Sequence, residues 1–274
     1  MGFLPAFDAA VTSRSLERFL LGYLERAGAG GFVVGVSGGV DSAVVAALAA
    51  RAAPRRVTGL LLPHRDSNAS DAEHARLVVA AAGIEHETVD VSGVVDAVLA
   101  GCRHGFPAPA QANLKARARM LVLYAHANAE NRLVLGTGNK SELLQGYFTK
   151  YGDGAADVYP IGDVYKTHVW ALARHLGVPA AVVEKPPTAG LWAGQTDEEE
   201  LGIRYKHLDE VLAGFEAGYA RAKVARDLAL DEALVARVEE RLYASEHKRT
   251  SLVVPKLSFR TPGLDWRLPR QARP

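Results

Sequence analysis

Short apolar runs alternate with stretches of helical period along the first half of this 274-residue chain, and few architectures accept that alternation. Residues 32–36 form a continuous apolar run of the kind a strand buried on both faces requires. Ser37-Gly38-Gly39-Val40-Asp41-Ser42 then turns it directly into a helical stretch over 43–51. The unit recurs. Residues 57–62 read as a strand, and Ser70-Asp71-Ala72-Glu73 has the spacing of a capping box opening a helix to about residue 82. Residues 88–91 read as a strand, 109–130 as a long amphipathic helix, and 132–135 as a short strand entering Gly136-Thr137-Gly138. A helix over 12–26 precedes them all. Strands each followed by a helix call for an α/β fold, a doubly wound parallel sheet flanked by helices, Rossmann-like in type.

Beyond Leu144 the pattern weakens, and residues 147–160 carry neither period, as expected of a functional loop. Helices resume over 165–175 and again after Thr196-Asp197-Glu198-Glu199, a second capping-box spacing, and the C-terminal part reads as helical. From residue 252 the prolines 255, 262, 269 and 274 predict an extended tail, so 1–251 is expected to be one catalytic domain and 252–274 an appendage. The charge balance, 32 Lys plus Arg against 31 Asp plus Glu, is wrong for a surface built to neutralise nucleic acid. The single cysteine, Cys102, excludes an internal disulfide and a thiolate zinc site, fits a reducing, cytoplasmic setting, and is expected to be buried or half-buried. No export signal or membrane span is visible. His168 and His175 stand seven apart without a third ligand, so zinc is not expected. Trp170 and Trp192 are expected to pack, although Trp192, close to Thr188, could stack on a ring.

Chemistry concentrates in the loops at the carboxyl ends of the strands, where open parallel sheets bind ligands. Ser37, Gly38, Gly39 and Ser42 offer close backbone approach and hydroxyl donors at a helix N-terminus, which suits phosphate. Asp41 would repel that phosphate unless a divalent cation lay between them, so it implies Mg²⁺ with a polyphosphate. There is no Gly-Lys dipeptide, hence no Walker A loop, and no complete GxGxxG. Glu142, at the end of the last strand's loop, is the natural second carboxylate for that cation. Asn113 and Arg117, one helical turn apart, could clamp a carboxylate or phosphate, or simply form a solvated face. The aromatic, glycine-punctuated stretch 147–157 is costly surface unless something stacks there.

Six stretches, GVSGGVDSA, NLKARARM, LVLGTGNKSE, GYFTKYGDGAADVYPIGDVYKT, LWAGQTDEEELG and EHKR, together resemble the NAD synthetases, a family of the PP-loop ATP pyrophosphatases that also include GMP synthetase and asparagine synthetase. The first is shared across that superfamily; the YFTKYGDGAAD loop is particular to NAD synthetases. The resemblance implies ATP-dependent amidation of deamido-NAD to NAD through an adenylated intermediate, with ammonia as donor and AMP and pyrophosphate released. It implies that Gly35, Val36, Ser37, Gly38, Gly39, Val40, Asp41 and Ser42 cradle ATP, with Thr137, Lys166 and Thr188 completing that site. Asp41 and Glu142 would hold Mg²⁺, and Arg117, Lys150, Asp157, His247 and Lys248 would bind deamido-NAD. Asp153 would orient ammonia or take its proton, and Lys166 would neutralise pyrophosphate. Thr188 stands where the family often has Ser and keeps the hydroxyl. The long helix from residue 109 resembles the family's homodimer surface, so a homodimer is implied. Another PP-loop amidase and a non-catalytic nucleotide-binding protein are the alternatives; a transfer-RNA thiolase is disfavoured because paired cysteines and a basic surface are absent.

Overall fold

The computed structural model describes residues 2–188, 196–250, 253–262 and 264–266. Its centre is a four-stranded parallel sheet of β1 (Gly31–Gly35), β2 (Val57–Leu61), β3 (Glu85–Thr88) and β4 (Arg132–Leu135) in the order β3-β2-β1-β4. The chain winds outward from β1 to β3 and then returns to the other side of β1. The order therefore reverses between β1 and β4, which opens a crevice at their carboxyl ends.

Alternating side chains of the strands feed two cores. Phe32, Val34, Val57 and Leu61 pack beneath α1 (Ala9–Ala27), α2 (Val40–Ala52) and α3 (Ala69–Ala82). Val33, Leu60 and Val134 face the opposite core, built with α4 (Ser92–Gly101) and α5 (Ala108–Ala129). Nine of the thirteen residues of α2 are buried, because α1, α3 and the sheet enclose it. Truncating a fully buried residue there, such as Leu48, would cost about 2–5 kcal/mol. The helix that carries the glycine loop is thus among the most tightly held parts of the molecule.

Several boundaries differ from the sequence pattern for local reasons. α1 begins at Ala9 because the Asp8 carboxylate accepts from the amides of Ala10 and Val11, both at 2.9 Å. α3 is capped by Asn68 rather than Ser70: the Asn68 side chain accepts from the Ser70 amide at 3.1 Å. β3 lies three residues before the predicted strand, although the Val89 and Val91 amides still donate to Leu61 and Pro63. Residues 92–101, to which the periodicity assigns nothing, form α4; its glycines and valines are poor helix formers, and packing of Val95 outweighs them.

After β4 come α6 (Lys140–Gln145), α7 (Lys166–Leu176), α8 (Ala180–Val183) and α9 (Asp197–Leu201). The predicted capping box at Thr196 does not form: the Thr196 hydroxyl donates to Glu199 at 2.7 Å instead of accepting a backbone amide. α10 (Tyr205–Glu216), α11 (Arg221–Leu228), α12 (Glu232–Ala244) and α13 (Glu246–Arg249) complete the fold around a third core centred on Tyr205, Leu208 and Leu212. Trp170 packs edge-on to Tyr205, His168 stacks on Phe7, and Trp192 lies outside the described residues. Cys102 is exposed rather than buried, since it ends α4 at the surface. Among the described residues, no helix is long and apolar enough to cross a membrane.

Candidate active site

The crevice between β1 and β4 opens into a cleft of about 500 Å³. Its floor is the loop from β1 to α2. The Ser42 hydroxyl donates to the Gly39 carbonyl at 3.0 Å and lies 3.2 Å from the Ser37 hydroxyl, so the loop braces itself internally. Gly39 caps α2 with no side chain, leaving the helix N-terminus open toward the cleft. Gly38 serves a different purpose from the one the sequence suggests. At φ +81° it packs against α3, where a Cβ would run into the Asp71 carbonyl, and it is Gly39 that lines the cleft.

Asp41, in the first turn of α2, meets Glu142 and Lys166 at the edge of this loop. The Lys166 Nζ lies 2.5 Å from Asp41 Oδ2 and 3.2 Å from Glu142 Oε1, and Asn139 Nδ2 donates to Asp41 Oδ1 at 3.0 Å. Glu142 owes its position to the capping box of α6, in which Asn139 and Glu142 bond reciprocally at 3.0 and 3.2 Å. Lys166 is only 2% exposed. Burial disfavours its charge, but the two carboxylates outweigh burial and make the ammonium more basic than usual. Burial likewise pushes the Glu142 carboxyl upward against the pull of Lys166.

The alignment of these groups depends on Asp209, a fully buried carboxylate of α10. It accepts from the Ser141 hydroxyl at 2.5 Å and from the Thr167 amide and hydroxyl, both at 2.8 Å. Ser141 in turn accepts the Lys166 amide at 3.0 Å. One acid therefore ties together the helix starts that carry Glu142 and Lys166. Asp197, at the start of α9, adds a third carboxylate to the cleft; burial raises its pKa.

Asp153 also lines the cleft and is exposed there, with Thr149, Lys248 and Arg119 around its carboxylate. Desolvation raises its carboxyl pKa even though the Thr149 amide donates to it at 3.0 Å. Lys248 reaches the same cleft and is held by the carbonyls of Gly146 and Phe148 at 2.6 and 2.8 Å. Arg119 also lines the cleft, donating to the Leu62 carbonyl at 2.9 Å; burial lowers its pKa against the nearby charges of Asp153 and Asp71. Asn113, bonded to the Thr149 hydroxyl at 2.7 Å, and Thr137 and Thr188 lie along the lining as well.

The other residues matched to the dinucleotide stand just outside this cleft. Arg117 donates to the Lys150 carbonyl at 3.3 and 3.2 Å, Lys150 Nζ reaches the His247 carbonyl at 2.5 Å, and Asp157 accepts the Val134 amide at 2.8 Å. Asn113 and Arg117 consequently serve different surfaces instead of forming one clamp. Arg119 belongs to the basic helix stretch that the sequence singles out, whereas Asn139, Asp197, Asp209 and the Lys185–Asp71 ion pair at 2.5 Å on the cleft wall carry no site expectation in the sequence. Asp209 left a trace, since it falls on the apolar stripe Tyr205, Leu208 and Leu212 of α10.

A braced anion loop at a sheet switch point, met by carboxylates and a buried lysine rather than by a Walker lysine, defines a PP-loop nucleotide-binding enzyme. The model of the family NAD synthase matches residues 12–252. An NH₃-dependent NAD⁺ synthetase of Methanosarcina acetivorans is 46% identical over 91% of this chain and 99% of that protein. Among solved structures, an NMN synthetase of Francisella tularensis superposes with a TM-score of 0.83 at 35% identity, covering 92% of this chain and 100% of that one. An NH₃-dependent NAD synthetase of Campylobacter jejuni gives 0.78 at 31% identity over the same shares, 92% and 100%. The chain belongs to the NAD synthase family and is a ligase.

Proposed function

We propose that this enzyme amidates the nicotinate carboxylate of deamido-NAD with ammonia, driven by ATP and releasing AMP and pyrophosphate, and that residues 1–251 act as one catalytic unit. The observation that carries this reading is the convergence of Asp41, Glu142 and Lys166 on the open N-terminus of α2. Among the described residues no three ligands form a protein cage for a metal, but Mg²⁺ is commonly held by one or two carboxylates with phosphate and water completing its shell. Asp41 and Glu142 are a hard-oxygen pair close enough to share one cation, so they fit. When bound there, Mg²⁺ would offset charge on the phosphate oxygens.

The chain's own groups then divide the work. The loop of Gly35, Val36, Ser37, Gly39, Val40 and Ser42 seats the triphosphate, with Thr137 and Thr188 at its sides and Gly38 fixing the turn. A nicotinate oxygen attacks the α-phosphorus, and Lys166 offsets the charge of the departing pyrophosphate. Ammonia adds to the acyl carbon, AMP leaves, and Asp153 accepts the proton released from nitrogen; its raised pKa suits it to that step. Lys248 in the cleft, and Arg117, Lys150, Asp157 and His247 beside it, supply cations and hydrogen bonds to the dinucleotide. The enzyme is expected to act as a homodimer in the cytoplasm.

A second substrate, nicotinate mononucleotide, is raised by the Francisella tularensis NMN synthetase, which shares the fold closely. The decisive assay incubates the full chain with ATP, Mg²⁺, an ammonium salt and either deamido-NAD or nicotinate mononucleotide, following amide product and AMP. Deamido-NAD should give the higher kcat/KM. Preference for the mononucleotide would replace the substrate, and no amide from either would overturn the reading.

A further inference from the structure

The Lys166 ammonium occupies the position that a cation shared by Asp41 and Glu142 would need, at 2.5 Å and 3.2 Å from their oxygens. Lysine and a divalent cation cannot both stay there, because unlike the carboxylates they repel at short range in a site with little water. An ammonium leaving two carboxylates in a buried setting needs another anionic acceptor, or the exchange is too costly to proceed.

Such an acceptor stands beside it. Asp197 is 3% exposed and lines the same cleft. Its Oδ2 accepts the Tyr205 hydroxyl at 3.1 Å, whereas its Oδ1 is buried with no donor at full bonding distance among the described residues: the Tyr147 hydroxyl beside Asp197 is committed to Glu200 at 2.6 Å. An under-satisfied buried carboxylate oxygen is expensive and leaves capacity for a further donor or cation. Tyr205 connects the two groups: its ring centroid lies 5.1 Å from the Lys166 Nζ, and its hydroxyl is bound to Asp197. The path from the carboxylate pair to Asp197 therefore runs across an aromatic face that tolerates a cation.

We propose that Lys166 is a resident counter-ion for Asp41 and Glu142, displaced by the incoming divalent cation onto Asp197 Oδ1. Asp197 is then a positioning residue that holds the ammonium toward the phosphates once the metal is in place. The inference rests on Asp41 and Glu142 being the metal carboxylates.

Mn²⁺ binding to the full chain without nucleotide, read by electron paramagnetic resonance, tests it. Lys166→Met should tighten Mn²⁺ binding about tenfold by removing the competitor, and Asp197→Asn should weaken it about tenfold when Lys166 is present. In the Lys166→Met background, Asp197→Asn should change nothing. Equal weakening in both backgrounds would make Asp197 a ligand, and no effect in either would leave it idle; both overturn the proposal. Binding that survives Asp41→Asn would instead overturn the metal site itself. Independently of any Lys or Asp197 variant, the Lys166 ¹⁵Nζ resonance of the unsubstituted protein should shift saturably with Mg²⁺, and an unmoved resonance overturns the displacement.

Discussion

Asp153 joins two properties that pull in opposite directions, since it is exposed to the cleft yet partial desolvation by the surrounding protein raises its pKa. A carboxyl whose folded pKa exceeds its unfolded value is disfavoured in the fold once ionised, so its contribution to stability falls as pH rises between the two values. Asp153→Asn should accordingly melt above the parent enzyme at pH 7, and the gap should close below about pH 3.9, the ordinary aspartate value. The same change removes the carboxylate proposed above to accept the ammonia proton. Amide formation should drop by about 10²–10⁴-fold, while exchange of labelled pyrophosphate into ATP in the presence of deamido-NAD continues. The acidic limb of the parent's kcat profile should lie above the ordinary carboxylate range and vanish in the variant. Unchanged turnover would show that Asp153 does not take the proton.

At the scale of elements, the glycine loop works because α2 is enclosed and α3 leaves no room behind Gly38. Gly38→Ala would need a left-handed conformation that L-residues rarely adopt and would press its Cβ on the Asp71 carbonyl, with His74 Cβ at 2.9 Å. The expected cost is about 1–3 kcal/mol of stability together with weaker ATP binding, measured by thermal melts with and without nucleotide. A fully stable Gly38→Ala variant with normal ATP affinity would refute the packing argument. Elements of this kind were legible in the sequence because their signals are local: β1, its loop and α2 occupy one uninterrupted stretch, and so do β4 and the capped α6. The direct pairings between site residues escaped, because they are held by distant contacts. Lys166 meets Asp41 across 125 positions and Asp209 meets Ser141 across 68, separations at which spacing carries no information. Asp197 was hidden for another reason: a Thr-Asp-Glu-Glu tract reads as a helix cap, and only the structure shows that its Asp turns inward.

For the molecule as a whole, the near-neutral charge of +1 leaves a few placed cations to meet anionic substrates, and several of them lie outside the cleft. Arg117 is exposed on α5, and Leu121, one turn further along the same face, is 56% exposed. Val98 of α4, packed beside α5, is also 40% exposed. Apolar surface next to Arg117, proposed above to meet the dinucleotide, is what a second copy of the chain covering this face would bury, and in the proposed homodimer dinucleotide binding and dimerisation would share it. Leu121→Glu should then shift the protein from dimer toward monomer in light scattering across a concentration series. Because Arg117 sits one turn away, the same variant should raise the KM for deamido-NAD while leaving that for ATP near the parent value. A parent chain that stays monomeric at all concentrations, or a Leu121→Glu dimer with unaltered KM, would separate substrate binding from this face.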